Sequence, residues 1–291
     1  MSKTIVFFGS GPVAAKSLEL LAKDFDVEAV VTKPKPLHHI KAFPVIDVAK
    51  SLNFPVHTVS NKTDLSKLID TQPFSSQLGV LIDFGIIVTQ DVIDYFPLGI
   101  VNSHFSLLPE WRGADPITFS ILSGQQTTGV SLMLLVEKMD EGPLLAQSEL
   151  KISPEDTTPE LTEELIELSH KMLQEVLPVY MDGGIRPYEQ SNHPPISYSR
   201  KLTKDDGLID LGKPAVQLER EVRGYIDWPK SRTTIGGKEV IITKAHVAET
   251  AEPKQLAIKT AKDYLVIDRL KPAGKQEMSA QAFLAGYSRL L

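Results

Sequence analysis

A short apolar run, Ile5-Val6-Phe7-Phe8, ends at once in Gly9-Ser10-Gly11-Pro12 and gives way to helical spacing from Val13 to Ala22. No other feature restricts the fold as much. A buried strand that turns this tightly into a helix is the opening unit of a sheet whose strands are joined by helices on its faces. Similar units follow. Val27 to Thr32 reads as a strand, Phe43 to Leu52 as a helix, Val80-Leu81-Ile82 as a further buried strand and Gln90 to Tyr95 as the helix behind it. Gly99 to Asn102 is a strand running into Ser103-His104, and Gly129 to Val136 is β-rich. Strands alternating with helices predict an α/β domain on a doubly wound, mainly parallel sheet.

Thr158 to Tyr180 has the spacing of a long amphipathic helix, with Leu161, Leu165, Leu168, Met172 and Val176 on one stripe. Pro159 falls where a helix start tolerates it, and Gly183-Gly184 ends the run. From Ile185 to Ser199 the chain is rich in Pro, Tyr, Asn and Ser, as a linker is. The pattern then changes. One helix, Ala215 to Arg223, precedes β-like runs at Ser231–Ile235, Glu239–Val247, Gln255–Lys259 and Tyr264–Leu270. They predict a second, mostly β domain small enough to be a barrel. The expected division is residues 1–184, a linker at 185–204, and a C-terminal domain at 205–291.

Composition narrows the function classes. The 291 residues are 42% hydrophobic and 23% charged, enough to form a core without staples. The absence of cysteine excludes disulfides, thiolate metal sites and a cysteine nucleophile. The N-terminal apolar run is too short for a signal peptide, and no stretch of about 18 apolar residues occurs, so a cytoplasmic protein without a membrane span is expected. The net charge of −6 argues against a general affinity for nucleic acid. Residues 205–291 nevertheless hold 14 Lys and Arg against 12 Asp and Glu, a local bias compatible with phosphate contacts.

The glycine turn invites a dinucleotide reading, but that site also needs an acidic residue at the end of the second strand. Thr32-Lys33-Pro34 stands there, so no NAD site is expected. The sharper cluster is Asn102-Ser103-His104-Phe105-Ser106-Leu107-Leu108-Pro109, at the carboxyl end of a strand, where open α/β sheets bind ligands. Asn102 and His104, two apart on extended chain, share a face and offer an amide and an imidazole to one reacting atom. No G-x-S-x-G elbow supplies a nucleophile, which disfavours a covalent acyl-enzyme. Direct transfer needs only a stabilised oxyanion and a proton path. Asp140, in the turn Glu137-Lys138-Met139-Asp140-Glu141-Gly142-Pro143, can supply a carboxylate to orient the histidine.

Asn102, His104, the Ser106–Pro109 run, Trp111-Arg112-Gly113 and Asp140 together resemble the 10-formyltetrahydrofolate transformylase superfamily. Several later segments resemble the branch that formylates initiator methionyl-tRNA: Tyr198 to Lys204, Ile209-Asp210, Gln217 to Arg220, Trp228-Pro229, Lys271 to Lys275 and Met278 to Gln281. The resemblance spans nearly the whole chain. It implies a Rossmann-like catalytic domain, an OB-like C-terminal domain, and Asn102, His104 and Asp140 as the catalytic set. It also implies 10-formyltetrahydrofolate as co-substrate, along Ser106, Leu107, Leu108 and Pro109 with the pterin near Gly85, Ile86, Ile87 and Val88. Neither a metal nor NAD is implied, and a monomer is expected.

The tRNA-facing residues expected are Lys33, Lys35 and Lys41 in the loop after the second strand, with Lys230, Arg232, Lys238 and Lys244 in the C-terminal domain. That loop is short for the family and lacks its arginine; Phe105 and Glu110 are further departures. His38, His39, His57, His170, His193 and His246 have no metal-site spacing and are read as surface or packing residues. The nearest rival is a sugar-nucleotide amine N-formyltransferase, with the same catalytic domain and a smaller acceptor. A glycinamide ribonucleotide transformylase would normally stop after the first domain, and a silent folate- or RNA-binding protein has no need of the Asn102-His104-Asp140 set.

Overall fold

The computed structural model describes residues 3–35, 44–191 and 194–287. The chain begins with β1 (Thr4–Phe8), α1 (Pro12–Leu21), β2 (Asp26–Thr32), α2 (Pro44–Ser51), β3 (Val56–Thr58), α3 (Lys62–Thr71), β4 (Gly79–Leu81), α4 (Gln90–Tyr95) and β5 (Ile100–His104). It continues through β6 (Arg112–Gly113), α5 (Pro116–Ser123), β7 (Thr127–Leu134), β8 (Leu144–Lys151), α6 (Thr158–Met181) and β9 (Tyr198–Ser199). Seven strands form the main sheet in the order β3-β2-β1-β4-β5-β7-β8. The first five are parallel, whereas β7 is antiparallel to β5 and β8 to β7. This is the α/β sheet expected from the sequence.

The alternation missed β3, α3, α5 and β8. β3 is three residues long, and α3 buries only Leu65 and Ile69, too few for a visible stripe. On the core side Val6, Phe8, Val31, Leu65, Val92, Phe96 and Ile100 pack in one cluster. Phe8 meets Phe84 and Phe96 edge-on at 5.7 and 5.8 Å. Each such buried side chain stabilises the unit by about 1.5–3 kcal/mol.

The strand order creates the site. From β1 the chain winds outward to β2 and β3, then returns to place β4 on the other side of β1. Loops leaving β1 and β4 therefore diverge, and the crevice between their carboxyl ends is the usual ligand position in such sheets.

Two compact units divide the chain: Met1–Pro116, Thr127–Lys151 and Thr162–Ser199 form the first, and Ile117–Gln126, Ile152–Leu161 and Arg200–Leu291 the second. Residues read from sequence as linker are bonded along the first unit up to Ser199. Tyr188 bridges to Leu144, and β9 pairs with β6.

The second unit contains α7 (Ala215–Gly224), β10 (Ser231–Ile235), β11 (Lys238–Ala248), β12 (Leu256–Lys259), β13 (Tyr264–Pro272), β14 (Met278–Ser279) and α8 (Ala280–Tyr287). The strands form an antiparallel sheet, β10-β11-β13-β12 with β14 on β13, so the expected OB-like barrel is a half-barrel. Gly236 and Gly237 join β10 to β11 at φ of 53° and 70°, the paired positive values of a two-residue hairpin turn. Leu218 and Val222 of α7 cover Val240, Ile242, Leu265 and Leu270, and Phe283 of α8 completes this core.

Candidate active site

β5 carries Asn102 and His104 at its carboxyl end, the two residues 7% and 6% exposed. Among the described residues, nothing hydrogen-bonds the Asn102 amide. The amide retains contact with solvent and can meet a ligand there.

His104 has oxygen on both sides. Nε2 lies 3.2 Å from the Trp111 carbonyl, and Nδ1 lies 3.8 Å from Asp140 Oδ1.

Asp140 reaches this point indirectly. β7 is antiparallel to β5, with Leu134 opposite Val101, so its last residue lies about 10 Å short of His104 along the sheet. The following loop folds back, and several bonds hold it. Gly142 approaches the Leu134 carbonyl so closely that a Cβ would fall 1.8 Å from that oxygen. Asp140 adopts a φ of 54°, a conformation that Asp tolerates better than most residues, and its Oδ2 accepts the Gly113 N–H at 2.7 Å.

Gln190 locks the loop. Its Nε2 donates to the carbonyls of Asp140 and Gly142 at 2.7 and 2.9 Å, while its Oε1 accepts from Arg112 Nη2 at 2.6 Å. Arg112, 7% exposed, also faces Glu141 at 3.4 Å. Gln190→Ala removes two hydrogen bonds that hold the Asp140 loop and one that orients Arg112. The expected result is a roughly 10-fold or greater fall in kcat with KM nearly constant, and a loss of about 1–3 kcal/mol in denaturant unfolding. An unchanged kcat counts against this role.

The Ser106–Pro109 loop is pinned from β7 and β8. Ser131 Oγ donates to the Ser106 carbonyl at 2.6 Å and accepts the Leu108 N–H at 2.9 Å. Gln147 Nε2 donates to the Leu108 carbonyl and to Ser131 Oγ. Ser106, Leu108 and Pro109 are buried and Leu107 half-buried, so a ligand meets mostly the backbone of this loop. Along 85–88, Ile86 and Val88 pack into the core, leaving Gly85 and the 65%-exposed Ile87 open. An exposed apolar face beside backbone polar groups fits a flat heterocycle such as a pterin.

Lys33 turns its ammonium toward Gly85, Lys35 is exposed, and Lys41 lies outside the described residues. In the second unit Lys230, Lys238 and Lys244 are exposed, and Arg232 is half-buried and donates to the Lys204 carbonyl. A cleft of about 310 Å³ there is lined by Arg232, Thr233, Thr234, Glu239 and Lys271, among others. His57 packs edge-on against Phe74 at 5.7 Å, whereas His170 faces Asp24 at 3.3 Å and His246 faces Asp268 at 3.0 Å. His38, His39 and His193 lie outside the described residues. Among the described residues no group of three or more His, Asp or Glu is placed to hold a metal, and no helix is long and apolar enough to cross a membrane.

Formyl transferase, a known family, matches residues 3–177, and the formyl transferase C-terminal domain matches residues 201–288. The chain belongs to the formyl transferase family. Among relatives of this family member, the methionyl-tRNA formyltransferase of Roseiflexus castenholzii is 37% identical over 98% of this chain and 96% of its own. That of Myxococcus xanthus is 34% identical over 97% and 95%. The fold is shared with the N-formyltransferase of Helicobacter canadensis, solved with folinic acid and dTDP-3-aminofucose. That structure has a TM-score of 0.70 at 17% identity, covering 96% of this chain and all of the other. HypX from Aquifex aeolicus, solved with tetrahydrofolic acid, has a TM-score of 0.66 at 15% identity, covering 97% of this chain and 47% of the other.

Proposed function

We propose that this enzyme transfers the formyl group of 10-formyltetrahydrofolate to the free amine of initiator methionyl-tRNA, as a cytoplasmic monomer supporting translation initiation. The observation that carries the chemistry is the convergence of Asn102, His104 and Asp140 on the carboxyl end of β5. What supports the acceptor is the full-length likeness to methionyl-tRNA formyltransferases, including the C-terminal domain.

The acceptor amine attacks the formyl carbon, and the carbonyl electrons move onto the formyl oxygen. Asn102 donates to that oxygen where its charge develops, the moment at which a fixed donor counts most. His104, held between Trp111 and Asp140, moves the proton from the attacking nitrogen to the folate nitrogen as that nitrogen leaves. The pterin lies against Gly85 and Ile87, and the Ser106–Pro109 backbone lines the approach.

Transfer of labelled formyl to Met-tRNA, run beside an amino-sugar nucleotide, tests the reading. The tRNA is expected to be the acceptor, and preference for the sugar would replace this reading with the sugar-nucleotide one. Tight binding of tRNA also implies phosphate contacts from the second unit. Changing Lys230, Lys238 and Lys244 together to Gln is expected to flatten the salt dependence of kcat/KM for tRNA by roughly 2–3 in log–log slope, with the folate KM unchanged. A slope equal to that of the parent protein would remove these lysines from the interface.

A further inference from the structure

A second set of charged groups lies on the same edge of the sheet and has no part in the steps above. Asp83 follows β4 at the switch point and has a φ of 46°. Its carboxylate overlies the glycine turn after β1, where a Cβ on Gly11 would fall 1.7 Å from Oδ2. Lys33, just past β2, approaches the same crevice, for a Cβ on Gly85 would fall 2.6 Å from Lys33 Nζ. Two glycines thus leave room for one carboxylate and one ammonium. A carboxylate in this turn also repels the pyrophosphate that a dinucleotide would bring.

Asp83 is exposed, with protein crowded around its carboxylate. That crowding pushes its pKa up to about 6; Lys33 pulls it down, and Asp115 adds to the rise. Among the described residues the carboxylate has no hydrogen bond, and Lys33 does not close an ion pair with it. The neighbouring strand carries Asn102, since Leu81 of β4 is in register with Asn102 of β5. Neighbouring strands are about 4.8 Å apart, and Asp83 is two residues farther toward the carboxyl end. Asp115 ties the two sets together, being two residues past the Gly113 amide that holds Asp140.

We propose that Asp83 is a further catalytic residue, on the acceptor side: its carboxylate, with Asp115 beside it, receives the acceptor amine as an ammonium ion and takes its first proton. This rests on the reading of the chain as a Met-tRNA formyltransferase. An α-amine ionises near 7.7–8.0, so at neutral pH it arrives mostly charged and cannot attack. Asp83 as a carboxylate accepts one proton and becomes a neutral acid, and the amine regains its lone pair. The nitrogen then forms its bond to the formyl carbon. Its second proton leaves with the folate nitrogen, and Asp83 returns the first to solvent.

The experiment is kcat/KM for Met-tRNA from about pH 4.5 to 8.5 at saturating formyl donor, in the full-length protein and in Asp83→Asn. Asn tolerates the positive φ. The parent rate should hold down to about pH 6 and fall below it as Asp83 protonates. The variant depends on the amine's own ionisation, so its deficit should be about 20-fold at pH 6.5 and close to within about 2-fold by pH 8.5. Lys33→Met and Asp115→Asn supply opposite signs: the first should move the acid limb up, the second down. If the parent protein formylates Met-tRNA but Asp83→Asn keeps its rate at pH 6.5, or the two neighbours shift the limb the same way, Asp83 has no such role. If the parent does not formylate Met-tRNA at all, the acceptor reading fails, and this inference with it.

Discussion

His104→Ala is expected to lower formyl transfer to Met-tRNA by about 1,000-fold, within the 10²–10⁴ range of a positioned proton carrier. The reason lies in the ring's two contacts, the Trp111 carbonyl on one side and Asp140 on the other. Alanine removes the group that faces both of these oxygens. Tetrahydrofolate binding should change little, because the residues that line its approach, Gly85, Ile87 and the Ser106–Pro109 backbone, are held by Ser131, Gln147 and the core instead. Single-turnover transfer and equilibrium folate binding, measured on the same preparation, check both halves. Near-normal turnover in this variant would remove His104 from the chemistry.

Asn102→Ala is expected to cost 10²–10³-fold in kcat, or about 2.7–4 kcal/mol of transition-state stabilisation, with KM for both substrates nearly constant. The amide lacks a protein hydrogen-bond partner among the described residues, so it has little structural work to lose. A variant that unfolds at the same denaturant concentration as the parent but turns over slowly is the result that separates catalysis from packing. A small kcat effect with a large rise in KM would place Asn102 in ground-state binding instead.

Much of this site was legible in the sequence because its core is local. Asn102 and His104 lie two apart on one strand, and the strand's position at a carboxyl edge follows from the alternation of strands and helices. Asp140 was legible only as a carboxylate in a turn. That it meets His104 depends on a loop folding back over an antiparallel strand, and on Gly113 and Gln190, 27 and 50 residues away, bonding to it. Gln190 carried no signal of its own. It sits in a stretch whose composition says linker, and only its three hydrogen bonds give it a role. Arg112 was visible as part of the Trp111-Arg112-Gly113 motif, without the partners that explain it.

The same distinction holds across the molecule. Hydrophobic periodicity and turn residues act over a few neighbours, so the chain alone determined the parallel strands, the long α6 helix, the change to β structure after residue 205 and the two-apart pair on β5. Charges at Lys33, Asp83 and Asp115 are scattered along the chain and obey no period. Only tertiary packing put a carboxylate over the Gly11 turn and crowded it with protein, because an environment is set by what surrounds a group in space and not by what adjoins it in sequence.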